Sequence, residues 1–193
     1  MAKQQEIYLL RHGETEWSLA GKHTGVTDVS LTEHGRATAL RLQPVLLKQN
    51  FALVLSSPLQ RARQTCELAG LGDKATLEAD LTEWNYGEYE GLTTKEIQHS
   101  RPGWSVFRDG CPGGEMPEQV SARTDRVIAK LRASDGNVAV FAHGHILRAI
   151  AARWINFPVS CGEHFLLDTA TLNVLGYYYD TPALKIWNAP LDR

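Results

Sequence analysis

Two histidines, each placed where a short apolar run ends, are the residues of this chain best suited to do chemistry. His12 follows Ile7-Tyr8-Leu9-Leu10 in Arg11-His12-Gly13-Glu14, and His143 follows Val138 to Ala142 in Ala142-His143-Gly144-His145. Open α/β sheets keep their ligands outside the carboxyl ends of the strands, so both imidazoles and the Arg11 guanidinium are expected at one rim. That trio suits an anion such as a phosphoryl group. A neutral His12 ring nitrogen can attack phosphorus, and Arg11, permanently cationic and fork-shaped, can make paired bonds to phosphate oxygens. Arg61 falls in the first turn of a helix after Ser56-Ser57-Pro58, beside backbone N–H groups and the positive helix end, which favours anion binding over a solvated surface role. The leaving oxygen also needs a proton. Glu83, in Glu83-Trp84-Asn85-Tyr86-Gly87, is the assigned general acid, since Trp84 and Tyr86 are expected to desolvate it, raise its pKa and keep it protonated. On spacing alone Glu14, Glu88 and Glu90 stay open as alternatives.

The elements that must position these groups are legible as alternating strands and helices. Ile7–Leu10, Phe51–Leu55 and Val138–Ala142 read as buried strands, with further strands at Phe165–Leu167, Asn173–Tyr179 and Leu184–Trp187. Ser30-Leu31-Thr32-Glu33 matches a capping box that opens a helix, which Pro44 should kink or divide. Ser57-Pro58 supplies an N-cap and N1 proline for a helix to Gly70. Val120, Thr124, Val127 and Leu131 mark an amphipathic helix, and 146–155 another. The pattern predicts an α/β fold of three layers, a mostly parallel central sheet flanked by helices. The 193 residues suit one domain, with an insertion at about 83–117 that covers the pocket.

Bulk properties exclude some partners. A net charge of −2 gives no general attraction to nucleic acid or an anionic membrane, so any pull on phosphate is local. No apolar run nears the roughly 20 residues of a membrane span, and the first residues lead straight into a strand with no signal-peptide core. Cys66, Cys111 and Cys161 are scattered and lack CxxC spacing, which fits a reducing cytoplasm. No cysteine has an arginine six positions on and no Asp-x-Asp occurs, against cysteine and aspartyl-phosphate phosphatases. His143-x-His145 lacks a clear third metal ligand. Gly70 to Ala75 formally fits a dinucleotide fingerprint but follows a helix instead of a strand.

Together, Arg11-His12-Gly13-Glu14-Thr15, Ser57-Pro58 with Arg61-Ala62-Arg63-Gln64-Thr65, Glu83 with Tyr86-Gly87, and His143-Gly144-His145 resemble the histidine phosphatase superfamily, the phosphoglycerate-mutase-like group. The resemblance runs in order along nearly the whole chain. It implies that His12 carries the transferred phosphoryl group, that Arg11, Arg61 and His143 bind its oxygens, that Glu83 donates the proton, and that neither metal nor cofactor is needed. It further implies that Thr24-Gly25 borders the phosphate, with Ser18, Tyr86 and Gly144 among the substrate contacts. Ser18 stands where most members carry asparagine. The subset similar to sedoheptulose bisphosphatases and certain acid phosphatases shares Thr-Glu-Trp-Ser, and also resembles this chain in Arg108-Asp109-Gly110-Cys111, Gly114-Glu115 and Leu147-Arg148. That subset implies phosphorylated sugars.

A phosphoglycerate mutase is the alternative reading. Only 59 residues lie between Glu83 and His143, where cofactor-dependent mutases usually carry a longer insertion, and their adjacent basic pair is not evident, so hydrolysis is favoured. A bisphosphate needs a second cationic contact; Arg148 is the leading candidate, ahead of His23, Arg101 and Arg108. A catalytically silent phosphate-binding module is the reading from another class. Assembly stays open, a homodimer included.

Overall fold

The computed structural model describes residues 5–191. Six strands form one sheet in the order β3-β2-β4-β1-β5-β6: β1 (Ile7–Arg11), β2 (Phe51–Ser56), β3 (Ala75–Leu77), β4 (Asn137–Ala142), β5 (Leu172–Tyr178) and β6 (Thr181–Ala189). The first four run parallel, and β5 and β6 add an antiparallel edge beside β1. The helices are α1 (Glu16–Leu19), α2 (Glu33–Leu40), α3 (Gln43–Leu46), α4 (Gln60–Leu68), α5 (Thr94–Ser100), α6 (Val106–Asp109), α7 (Pro117–Ala133) and α8 (Gly144–Trp154).

Period-two alternation on the central strands builds two cores. Ile7 and Leu9 of β1, with Val138, Val140 and Ala142 of β4, face α7 and α8. Tyr8, Leu10, Ala139 and Phe141 face α3 and α4 on the other side. Strands buried on both faces must be apolar throughout, which is why these segments read as continuous hydrophobic runs. α8 is buried nearly all round, from Ile146 and Leu147 to Trp154. The expected α/β fold with helices on both faces of a mostly parallel sheet is therefore the observed one. Among the described residues no helix is long and apolar enough to cross a membrane.

Local details differ from the sequence reading. Thr32, not Ser30, caps α2: its Oγ1 accepts from the Gly35 N–H at 2.9 Å. α4 starts at Gln60 with Leu59 at its N-cap, and Ser57, two residues earlier, bonds to His143. Phe165–Leu167 forms no strand. Its carbonyls accept side-chain donors instead, Leu166 from the Trp187 indole and Leu167 from Arg11, so an apolar triplet serves as a strap. Pro44 does divide its helix, sitting in the first turn of α3. The 83–117 segment carries a short turn of 3-10 helix at Gly87–Tyr89, then α5 and α6.

Candidate active site

β2, β4 and β1 lie side by side, and the residues at their carboxyl ends form the site. Arg11 is in register with Ala142 and Ser56 with Phe141. The ladder then runs one step further, His12 N–H donating to the Ala142 carbonyl at 3.0 Å and Ser57 N–H to that of Phe141 at 2.9 Å. Ser57, His143 and His12 are thereby held at one rim. Gly13 and Gly35 let α2 close against this loop: a Cβ on Gly13 would lie 2.4 Å from the Gly35 carbonyl oxygen.

His12 Nδ1 is 2.7 Å from the carbonyl oxygen of Gly13. A carbonyl can only accept, so Nδ1 carries the proton and Nε2 keeps its lone pair. Burial, then the charges of Arg11 and Arg61, push this imidazole down to about 3, and it is neutral at ordinary pH. His143 is the opposite tautomer. Arg61 Nε donates to its Nδ1 at 3.0 Å, so Nε2 bears the hydrogen and donates to Ser57 Oγ at 2.8 Å. Burial, with Arg61 next, holds His143 well below the usual histidine range. The two imidazole centroids are 5.2 Å apart. Both His143 nitrogens are thus engaged, which removes it from any metal pair with His145. Among the described residues no group of three or more His, Cys, Asp or Glu is arranged to hold a metal.

Arg61 is fully buried, and three of its other donors reach the carbonyls of Thr27 at 2.9 Å and of Thr24 and Gly25 at 3.0 Å. Arg11 donates through Nη1 to the Leu167 carbonyl, while its buried Nε has no partner. An orphaned donor of this kind is costly unless an anion completes it.

Glu83 departs from its expected state. Its carboxylate accepts the N–H of Trp84, His145 and Ile146, each at 2.9 Å, and so caps the first turn of α8 from outside that helix. Burial alone would raise its pKa, but the backbone N–H donors, that of His145 among them, outweigh burial and hold the carboxyl well below the usual range. Glu83 is buried, but burial does not keep it protonated. Tyr86 Oη is 2.6 Å from His145 Nδ1, and burial followed by the Glu83 charge keeps the phenol proton on well above its ordinary pKa.

These groups face a cavity of about 230 Å³. Arg11, His12 and Glu83 line it, with Ser18, Thr24, Tyr86, Gly144 and Arg148 around them. Arg61, His143 and Gly25 stand behind this wall, Gly25 offering its carbonyl to Arg61. Of the four carboxylates open on spacing, only Glu83 reaches the cavity. Glu14 accepts from Thr32 at 2.8 Å, Glu90 binds the N–H groups of Gly25 and Thr27, and Glu88 lines neither this cavity nor the next. The Ser18 hydroxyl closes a capping box with Thr15. A second, outer cavity of about 430 Å³ adjoins the first through His23, Thr94, His145 and Arg148, with Trp104 and Arg108 in its wall. The 83–117 segment supplies much of that wall.

Ser57 and His145 went unassigned in the sequence reading. The available signal was positional, since Ser57 ends β2 as His12 ends β1 and His143 ends β4.

A buried neutral imidazole beside an orphaned guanidinium donor, at the carboxyl rim of a largely parallel sheet, defines a class of α/β enzymes that act on phosphoryl groups. Within that class the chain belongs to the Histidine phosphatase superfamily (branch 1), which it matches over residues 7–190, and it is a phosphoric monoester hydrolase. An acid phosphatase of Mycobacterium tuberculosis is 39% identical over 188 residues, 95% of this chain and 92% of that one. The sedoheptulose 1,7-bisphosphatase of Saccharomyces cerevisiae is 38% identical over 186 residues, 78% of this chain and 68% of that one. Among solved structures, an open-reading-frame product of M. tuberculosis superposes with a TM-score of 0.92 at 38% identity, covering 97% of this chain and 98% of the other. A mycobacterial glucosyl-3-phosphoglycerate phosphatase complexed with VO3 superposes with a TM-score of 0.85 at 30% identity, covering 96% and 100%.

Proposed function

We propose that this protein hydrolyses small phosphomonoesters, sugar phosphates or bisphosphates such as sedoheptulose 1,7-bisphosphate, without a metal and through a phosphohistidine at His12. The observation that carries this reading is the His12 tautomer: Nδ1 is committed to the Gly13 carbonyl, which leaves Nε2 unprotonated on a cavity-lining ring. In the first step Nε2 attacks phosphorus, the P–O ester bond breaks, and the Glu83 carboxyl gives its proton to the leaving oxygen. In the second step the Glu83 carboxylate takes a proton from water, the hydroxide attacks phosphorus, and the P–N bond breaks to release inorganic phosphate. Glu83 is then protonated again for the next turnover. Its ionised state fits this cycle, because a phosphoryl dianion beside a carboxylate raises the carboxylate's pKa. A monoanionic ester would bring the first proton with it. Arg11, whose guanidinium lines the cavity, meets the developing charge on the phosphoryl oxygens, and Arg61 with His143 backs His12.

The sugar reading is supported by the similarity to a sedoheptulose 1,7-bisphosphatase and a glucosyl-3-phosphoglycerate phosphatase, and by the outer cavity. Arg148 borders both cavities, bonded through Nε to the Gly162 carbonyl at 2.9 Å and through Nη2 to that of Glu163 at 3.1 Å, which leaves Nη1 for a second anion. Arg108 lines the outer cavity and Arg101 lines neither, so these two arginines form no pair at the site, which favours hydrolysis over the mutase reaction.

The test is phosphate release in EDTA from sugar mono- and bisphosphates and 3-phosphoglycerate, with acid-labile, alkali-stable phosphoenzyme trapped by rapid quench. His12→Ala should abolish both phosphoenzyme and release; retained turnover in that variant refutes the mechanism. A variant without turnover that still binds phosphate esters and a wild type that never turns over would together indicate a binding module.

A further inference from the structure

Arg123 projects from the middle of α7, is almost fully buried, and lines neither cavity. All five of its N–H donors are used. Nη1 reaches the carbonyls of Asp80 at 2.8 Å and Thr82 at 2.7 Å, and Nη2 reaches that of Glu83 at 3.2 Å. The remaining two go to Glu115, Nε to Oε1 at 2.8 Å and Nη2 to Oε2 at 2.9 Å. Glu115 continues the grip along the same segment. Its Oε2 accepts the Asn85 N–H, its own N–H donates to the Asn85 carbonyl, and its carbonyl accepts the Trp84 indole. Main-chain or side-chain atoms of residues 80, 82, 83, 84 and 85 are thus tied to one ion pair.

A buried ion pair is a weak source of stability, because desolvation cancels most of the attraction and apolar replacements are often neutral. Position is what this one defines. The segment it holds carries Glu83, whose carboxylate is gripped at its other end by the first turn of α8. The side chain is fixed between α7 behind and α8 in front, and a misplacement of about 1 Å in a reacting group can cost on the order of 10²-fold in rate.

We propose that Arg123 and Glu115 form a positioning pair that sets the Glu83 carboxyl group at the angle from which it protonates the leaving oxygen. The proposal rests on Glu83 being the acid of the phosphohistidine cycle. Neither residue touches substrate, so the pair acts through Glu83.

Leaving-group dependence tests it. An alkyl phosphate needs a proton to depart, whereas 4-nitrophenyl phosphate leaves as a stable anion. In Arg123→Lys and in Glu115→Gln, kcat/KM for an alkyl phosphate should fall about tenfold or more, within the range general acids supply, while that for 4-nitrophenyl phosphate falls less than about threefold. Glu83→Gln should show the same selectivity more strongly, and Arg123→Lys combined with it should add little. A purely structural role lowers both substrates in proportion, which overturns the proposal, as does an unchanged ratio or full additivity with Glu83→Gln. Folded fractions are checked by circular dichroism and melting; if Arg123→Lys does not fold, Glu115→Gln decides, since it keeps the volume and one acceptor oxygen. Failure of the phosphohistidine reading shows separately, as wild-type enzyme that never labels on histidine.

Discussion

Acid should unfold this protein through its active-site histidines before its carboxylates matter. His12 and His23 are held at about 3 and about 4 by burial first, with Arg11 and Arg61 adding at His12 and His145 at His23. An unfolded histidine titrates near 6.5, so below that pH the unfolded chain binds protons that the folded one refuses. The stability these groups confer is complete above about pH 6.5 and drains away as pH falls towards their folded values. At about 1.4 kcal/mol per pH unit, each loses about 2 kcal/mol between about pH 7.5 and 5, roughly 4 kcal/mol for the two. His143 and His145 are shifted in the same direction and add to the loss. The depressed carboxyls of Glu6, Asp80 and Glu83 act lower, below their ordinary value of about 4, so the upper window isolates the imidazoles. Against a typical total of about 5–15 kcal/mol the effect is large. The assay is urea unfolding across this pH range in phosphate-free buffer, because a bound anion would favour protonated imidazole. His23→Gln, which keeps a partner for Thr94, should remove about 2 kcal/mol of the pH dependence. A wild-type loss under about 1 kcal/mol, or an unchanged slope in His23→Gln, would refute the assignment of these rings as buried and neutral.

Other outcomes follow from single contacts. Arg61→Ala should cost roughly 10³-fold or more in kcat and also lower the melting temperature, since three carbonyls lose their donor; a kinetic loss below tenfold removes Arg61 from the chemistry. Ser57→Ala should free the His143 N–H, reduce kcat/KM by about tenfold and cost about 1–3 kcal/mol of stability, as a buried donor loses its partner; an unchanged rate would make Ser57 a bystander. Arg148→Met should raise KM for a sugar bisphosphate by about tenfold, the scale of one charged hydrogen bond, and leave the monophosphate of the same sugar nearly unaffected. Equal effects on both esters would place Arg148 in the packing of Phe107 alone, over which its guanidinium sits at 4.7 Å.

Much of the architecture was legible because its signals are local. β1 and β4 announce themselves as short apolar runs, and a histidine directly after each is a linear fact that the parallel pairing of the two strands turns into proximity. The edge was harder to read: Phe165–Leu167 has a strand's composition, yet its carbonyls are committed to Arg11 and Trp187, partners far away in the chain. The same division runs through the site. Residue types and their places after strands single out His12, Arg11, Arg61 and His143, together with the phosphoryl chemistry they suit, whereas spacing left Glu83 one of four carboxylates and the fold brings it alone of these to the cavity. Which nitrogen of each imidazole carries the proton was decided by a carbonyl, a serine and an arginine that only the fold brings within reach. Glu83 marks the boundary most clearly. Its sequence neighbours are aromatic and argue for a raised pKa, but α8, about sixty residues further on, lays two N–H groups against the carboxylate and reverses the sign. Propensity and periodicity are properties of neighbouring residues, and the sequence carries them openly; ionisation, tautomer and aim depend on fields and hydrogen bonds that fall off within a few ångströms, so only the packed chain sets them.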